Sequence, residues 1–158
     1  NLLAIVSRGG NYLIGIGPDA RGRMSSWISR GLGELGDFLR VNGEGIYATR
    51  PWTPITSVRA QEGWSWYATH PKDSEARVFL FGMPPAPSAD EAADLSLEEA
   101  TFAAAGLAST WLEVPGKVHS ARILGSEEGA IVEAREGSSR LVIPQTDLRY
   151  AVGVELTF

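Results

Sequence analysis

The segment Asn11-Tyr12-Leu13-Ile14-Gly15-Ile16-Gly17 decides the fold class of this chain. Its apolar side chains occupy odd and even positions alike, whereas a strand with one face in solvent alternates apolar and polar residues. The pattern therefore predicts a parallel strand that is buried on both faces. Pro18-Asp19-Ala20-Arg21-Gly22 follows directly, and these turn-forming residues predict a surface loop.

An amphipathic helix is predicted after this loop. Ser25 or Ser26 can cap its first turn, and Asn42-Gly43 predicts a left-handed stop. A strand followed by a helix is a βα unit, which needs parallel neighbouring strands at its edges. Residues 1 to about 50 are therefore predicted to complete a larger α/β domain. The apolar stripe of the helix recurs at three- and four-residue steps, through Ile28, Leu32, Leu35 and Leu39.

The second part of the chain has a β-rich pattern, and we place the boundary near residues 50 to 57. Short strands at close spacing predict an all-β antiparallel sandwich, which completes a mixed fold with domains 1–52 and 53–158. The Pro84–Asp94 stretch predicts an exposed connection, and Leu97–Gly106 is ambiguous between a strand and a short helix because it fits neither period well. The predicted strands are Trp64–Thr69, Ala76–Met83, Thr110–Val114, Val118–Leu124, Ala130–Ala134, Arg140–Ile143 and Tyr150–Phe158.

Composition excludes several classes of partner. The formal net charge is −5 and no run of Lys or Arg is present, so we expect no nucleic-acid partner. No apolar run approaches the roughly 20 residues of a membrane helix, so we expect no transmembrane segment. The chain has no Cys, and neither His70 nor His119 has a second ligand at metal spacing. We therefore expect neither a metal nor a cofactor.

Gly15-Ile16-Gly17 between a strand and a helix also permits a nucleotide-binding turn. The third glycine, Gly22, comes too late for the dinucleotide motif, and Arg23-Met24 replaces the Lys-Ser/Thr of a phosphate loop. A barrel strand-to-helix loop is therefore the preferred interpretation.

Two longer motifs carry a resemblance to a known family. The first runs from Ile5 to Pro18 as IVSRGGNYLIGIGP, and the second runs from Val41 to Trp52 as VNGEGIYATRPW. Both resemble motifs of glycoside hydrolase family 29, V-S-x-x-G-N-x-L-L-N-I-G-P and, after a helix, V-N-G-E-A-I-Y-x-T-R-P-W. Weaker similarity continues through Ile123-Leu124-Gly125-Ser126 and Leu141-Val142-Ile143-Pro144.

This resemblance implies the C-terminal part of a retaining α-L-fucosidase, an exo-glycosidase that removes terminal α-L-fucose from glycoconjugates. Residues 1–52 would be the last strand and helix of its (β/α)8 barrel, and residues 53–158 its C-terminal β-sandwich. The rest of the barrel, or another chain, would pack on residues 1–52. The family also implies a lysosomal or secreted location. The alternative is a non-catalytic, fucosidase-like structural or interaction subunit of a larger assembly.

The catalytic carboxylates of the family do not map onto this sequence, so no catalytic residue is assigned and this segment alone is predicted to be inactive. Active sites of such barrels lie at the carboxyl ends of the strands, which places Gly15, Gly17 and Asp19 near the substrate. The family usually has Asn where this chain has Gly15 and Ala where it has Gly45. Glu44 is interpreted as a surface charge.

One pair of tryptophans suggests a further alternative function. Trp64 and Trp66 share one face of a predicted strand and could form a sugar-stacking platform, as in a lectin-like sandwich. Burial against the opposite sheet or the barrel is preferred, because tryptophan carries a large apolar area. The same preference applies to Trp52, placed at the junction with the barrel, and to Trp111.

Overall fold

The computed structural model describes residues 1–85, 108–146 and 151–158, which form two antiparallel β-sheets with helices beside one of them. The helices are α1 (Leu2–Val6) and α2 (Ser26–Asn42), and short 3-10 turns cover Gly43–Gly45 and Thr53–Ser57. The strands within these residues are β1 (Thr49–Pro51), β2 (Arg59–Ala60), β3 (Ser65–Pro71), β4 (Arg77–Met83), β5 (Thr110–Pro115), β6 (Ser120–Ile123), β7 (Ile131–Arg135), β8 (Ser138–Ile143) and β9 (Val152–Thr157).

The predicted antiparallel sandwich is confirmed. The first sheet has the order β1-β3-β4-β9-β6 and the second has the order β2-β5-β8-β7, and neighbouring strands run antiparallel throughout. Each of the seven predicted strands overlaps one of the strands β3 to β9. The Leu97–Gly106 stretch, most of the Pro84–Asp94 connection and Tyr150 lie outside the described residues.

Apolar side chains from facing positions of the two sheets fill the space between them. In β9 the inward residues are Val152, Val154 and Leu156, with Phe158 packed beside them, as the two-residue alternation predicts. Leu112 and Leu141 are directly opposite each other on β5 and β8 and contribute from the second sheet. These side chains form the main hydrophobic core.

A second apolar cluster lies on the outer face of the first sheet. Phe79 and Phe81 of β4 point to this side and pack with Leu3, Ile46 and Leu124. Phe38 and Leu39 near the end of α2 pack against the same cluster. β4 is therefore covered on both faces, which explains why its residues 78–82 are all buried instead of alternating.

The segment 11–17 does not form the predicted strand, so this prediction is wrong for the chain as described. It has no strand assignment, and Leu13 is 92% exposed. The physical reason is the absence, within the described residues, of parallel neighbours that could pair with its amides and carbonyls. The other apolar side chains of the segment are also exposed, Tyr12 at 37%, Ile14 at 39% and Ile16 at 50%.

The predicted helix is confirmed at its start and corrected at its end. The Ser25 hydroxyl accepts a hydrogen bond from the amide of Ile28 at 3.3 Å, which satisfies an otherwise unpaired donor. At the other end Gly43 has φ −59° and continues into a 3-10 turn, so the predicted left-handed stop is wrong. The left-handed residue comes later, at Ala48, with φ 55°. The 3-10 turn instead seats Gly45 against the sheet.

Candidate functional site

An open apolar groove of about 540 Å³ lies between α1, residues 12–16 and α2. Gly15 lines it, and a Cβ built on Gly15 would meet no atom within 4 Å. Trp27 of α2 is 74% exposed at its rim. The aliphatic and aromatic side chains of the lining are Leu2, Leu3, Tyr12, Ile14, Ile16, Trp27, Ile28, Leu32, Leu35, Phe38, Met83 and Ala151. The groove therefore exposes the apolar side chains of residues 12–16 and of one face of α2.

The structure brings Gly17 and Asp19 together in a second, smaller depression. This depression has a volume of about 440 Å³ and is also lined by Arg23 and Ser25. Gly15 lies in the apolar groove instead, two residues before it. The three predicted residues therefore follow one another along a single exposed segment. That they lie near substrate stays a prediction.

Asp19 is held as an anion by its own loop. Its carboxylate accepts hydrogen bonds from the amides of Arg23 at 2.9 Å and Arg21 at 2.8 Å, and from Arg23 Nε at 3.0 Å. The Arg23 amide, followed by the Arg21 amide, lowers the pKa of the Asp19 carboxyl. Gly22 at φ 76° makes the turn possible. Asp19 thus shapes the loop and is poorly suited to donate a proton.

A four-residue charge cluster, Glu44, Arg77, Arg122 and Glu155, lies on the outer face of the first sheet. Arg122 Nη2 donates to Glu44 at 2.7 Å and to Glu155 at 2.6 Å. Arg77 Nε donates to Glu155 at 2.6 Å, and Arg77 Nη2 contacts Glu44 at 3.4 Å. The interpretation of Glu44 as a surface charge missed this cluster, because its members are at least 33 residues apart in sequence.

The charge cluster fastens the turn after α2 to the sheet. Burial raises the pKa of Glu155, but hydrogen bonds from Arg122 and Arg77 outweigh it and leave the pKa below its ordinary value. Hydrogen bonds to Glu44 and then to Glu155 raise the pKa of Arg122. The two arginine and two glutamate side chains thus form a charge-balanced cluster.

Replacing Glu155 with glutamine is expected to lower the free energy of unfolding by about 1–2 kcal/mol, since two arginines lose one of the two anions that they share. Both arginines are about half exposed, at 45% and 54%, which limits the cost. Urea denaturation of the two proteins measures the difference. Glu133→Gln is the matched control, because Glu133 and Arg135 form an exposed pair at 3.6 Å, and its change should be near zero. Equal effects of both substitutions would contradict the assigned role.

The effect of Glu155→Gln should depend on pH in a definite direction. The pKa of Glu155 is lower in the folded state than its ordinary value of 4.5. Its contribution to stability is therefore complete above pH 4.5 and is lost as the pH falls through the lower, folded value. Denaturation curves in acid should show the difference between wild type and Glu155→Gln shrinking towards zero.

Trp52, Trp64 and Trp66 pack against the main core, and Trp111 does not. Trp64 and Trp66 stack at 6.0 Å and pack against the main core, which supports burial over a sugar platform. Trp52 packs on the same core and lies 6.0 Å from the ring of Phe158. Trp111 lies half-buried outside both apolar clusters, with the Arg140 guanidinium 4.7 Å from its ring centroid.

The histidines have local contacts. His70 Nδ1 lies 2.9 Å from the carbonyl of Pro71, and the backbone amide of His119 donates to Thr157. Within residues 1–85, 108–146 and 151–158, no three His, Asp or Glu side chains are grouped as a metal ion would need. In the same ranges no helix is both long and apolar enough to cross a membrane.

Comparison with known proteins identifies the relatives of this chain. Residues 1–44 match the sequence model of the family described as Alpha-L-fucosidase. Alpha-L-fucosidase from Dictyostelium discoideum is 33% identical over 84 residues, and the human plasma alpha-L-fucosidase is 38% identical over 83. These matches cover 53% and 52% of this chain and 17% of each relative. The matched part is thus about a sixth of the length of those relatives.

Solved structures extend the likeness over nearly the whole chain. The alpha-fucosidase of Thermotoga maritima superposes with a TM-score of 0.67 at 20% identity, covering 98% of this chain and 32% of that one. An alpha-L-fucosidase of family 29 from Bacteroides thetaiotaomicron also gives 0.67, at 19% identity, and covers 98% and 30%. The resemblance to α-L-fucosidases is confirmed, and the antiparallel sheets match the C-terminal β-sandwich fold of those structures.

Proposed function

We propose that this chain is the C-terminal part of an α-L-fucosidase that removes terminal α-L-fucose from glycoconjugates with retention of configuration. The observation that carries this proposal is the exposed apolar groove, whose described lining residues, except Met83 and Ala151, belong to the stretch 1–44 that matches the family. An apolar surface of this kind needs a covering partner. The remaining barrel is that partner, and it would supply the parallel neighbours that segment 11–17 lacks.

The catalytic pair belongs to the remaining barrel in this proposal. Retaining hydrolysis needs two carboxyl groups about 5 Å apart, one as nucleophile and one as acid and base. Among the carboxylates of the described barrel segment, Asp19 is tied to its loop and Glu44 to the charge cluster. Residues 1–52 would contribute scaffold, with Gly15, Gly17 and Asp19 at the barrel mouth. Residues 53–158 would form the accessory sandwich, and the location would be lysosomal or secreted.

Hydrolysis of an aryl α-L-fucoside tests this function. The 158-residue chain alone should release no aryl alcohol, whereas the complete natural polypeptide that contains it should turn over the substrate. Intact mass of that polypeptide provides the control, since a native protein near 17.0 kDa would favour the non-catalytic subunit. A folded, larger polypeptide that is silent on the fucoside would overturn the enzymatic role.

Gly15→Asn tests the predicted position at the barrel mouth. The family that this chain resembles usually has Asn at this position of the groove, so the substitution should leave the thermal midpoint of the complete polypeptide nearly unchanged. A polar group near the substrate should change KM or kcat for the aryl fucoside. The control Gly33→Asn lies on α2, where a Cβ also meets nothing, and should leave both constants unchanged. Identical kinetics for both variants would place Gly15 away from the site.

A further inference from the structure

A second groove, separate from the one proposed to complete the barrel, opens at one end of the sandwich. It has a volume of about 690 Å³ and lies between the 3-10 turn Thr53–Ser57, the turn before β4 and the end of β5. None of the described residues that line it belongs to the stretch 1–44 that matches the family. Any ligand it binds is therefore held by the sandwich itself.

Two aromatic rings form the apolar part of this groove. Trp52 and Phe158 lie 6.0 Å apart with 30° between their planes, so they present neighbouring, similarly inclined surfaces. Gly116, at φ 88°, borders Phe158, and a Cβ there would come within 3.4 Å of two ring atoms. A side chain at this position would therefore contact the ring of Phe158. Flat aromatic surfaces attract the weakly positive C–H face of a ligand.

The polar residues of the groove carry hydroxyl groups and one carboxylate. The groove is lined by Thr53, Thr56, Ser57 and the exposed Glu75, and the Thr56 hydroxyl donates to the Thr53 carbonyl at 3.2 Å. Hydroxyls both donate and accept hydrogen bonds, and a carboxylate accepts them strongly. No Lys or Arg is among the described lining residues, which disfavours phosphate, sulfate or an acidic ligand. The chemistry suits a neutral ligand with an apolar face and several hydroxyl groups.

We infer that this groove binds a pyranose ring of a neutral glycan, with one sugar face on Trp52 and Phe158 and a sugar hydroxyl donating to Glu75. A cleft that combines aromatic walls with a few convergent polar groups is the usual form of a small-ligand site. Binding here would attach the sandwich to a glycan at a point distinct from the barrel mouth. The inference does not depend on the proposed hydrolysis, because the groove is built from residues 52–158 alone.

Titration of the full 158-residue chain with methyl α-L-fucopyranoside and with N-acetyllactosamine, followed by ¹H–¹⁵N NMR, tests the inference. At least one sugar should shift the Trp52 indole resonance in a saturable manner at millimolar concentrations. Glu75→Ala should weaken binding about tenfold, the usual effect of losing one charge-assisted hydrogen bond. Phe158→Leu keeps apolar volume in the fold but removes the ring, and it should weaken binding at least as much.

Two controls make the result decisive. Glu62→Ala removes an exposed carboxylate that does not line the groove and should leave the affinity unchanged. Well-dispersed spectra of each variant show that it is folded. The inference is overturned if neither sugar shifts Trp52, if Glu62→Ala weakens binding as much as Glu75→Ala, or if a proline-rich peptide shifts Trp52 when the sugars do not.

Discussion

Replacement of Phe81 by alanine is expected to lower the free energy of unfolding by about 3–5 kcal/mol, the range for loss of a fully buried aromatic ring. Phe81 is completely buried at the centre of the second apolar cluster, where α2 and the 3-10 turn meet the first sheet. Its loss leaves a cavity that the rigid β4–β9 pair cannot close, because Phe81 lies opposite Gly153.

Chemical denaturation, with hydrogen exchange of the α2 amides, checks this expectation. Exchange in α2 should accelerate more than exchange in β5 and β8, since α2 depends on this cluster and the second sheet does not. Ile131→Ala on β7 is the control, because Ile131 is 60% exposed and its truncation should cost less than about 1 kcal/mol. A small effect of Phe81→Ala would mean that α2 is held in some other way.

Gly45→Ala is expected to destabilise the fold by about 2–3 kcal/mol, at the upper end of the overpacking range. A Cβ at Gly45 would lie 2.6 Å from Cζ of Phe81 and 2.8 Å from Cβ and Cγ of Phe79. The carbonyl of Gly45 also accepts a buried hydrogen bond from the Thr69 hydroxyl at 2.6 Å, which prevents the turn from moving away.

Gly31→Ala provides the matched comparison for Gly45→Ala. Gly31 lies within α2, a Cβ there meets no atom within 4 Å, and alanine should stabilise the helix by about 0.5–1 kcal/mol. The same substitution should therefore have opposite signs at the two positions in urea denaturation. Phe81→Leu combined with Gly45→Ala should recover part of the loss, because the nearest atom is removed. Destabilisation at Gly31 equal to that at Gly45 would contradict the steric explanation.

The β-sandwich could be predicted from the sequence because each strand is specified by the alternation of a few consecutive residues. Val152, Val154 and Leu156 alternate with less apolar residues, and that period alone specifies a strand with one face towards the main core. Ser25 likewise marks the start of α2 by its own chemistry. Glu155 shows the limit, because its partners Arg77 and Arg122 are 78 and 33 residues away and nothing near it in sequence points to them.

The failed strand at residues 11–17 has a different cause. Its pattern of apolar residues on both faces describes an environment with parallel neighbours, and the described chain supplies none. The sequence pattern and the structure therefore agree that the segment needs parallel neighbouring strands. They differ because the described chain does not contain those strands. The groove around Trp52 could not be predicted at all, since Phe158, Glu75 and Gly116 meet there only through the sheet topology.

The position of β9 in the first sheet governs the order in which this fold can assemble. β9 pairs with β4 on one side and with β6 on the other, so a segment synthesised after both strands joins them. On the ribosome, Glu44 is the only anion of the charge cluster open to Arg77 and Arg122, and the described strands β4 and β6 cannot join in one sheet, until Val152 to Thr157 leave the exit tunnel. The nascent polypeptide must therefore carry an incomplete first sheet until these residues emerge.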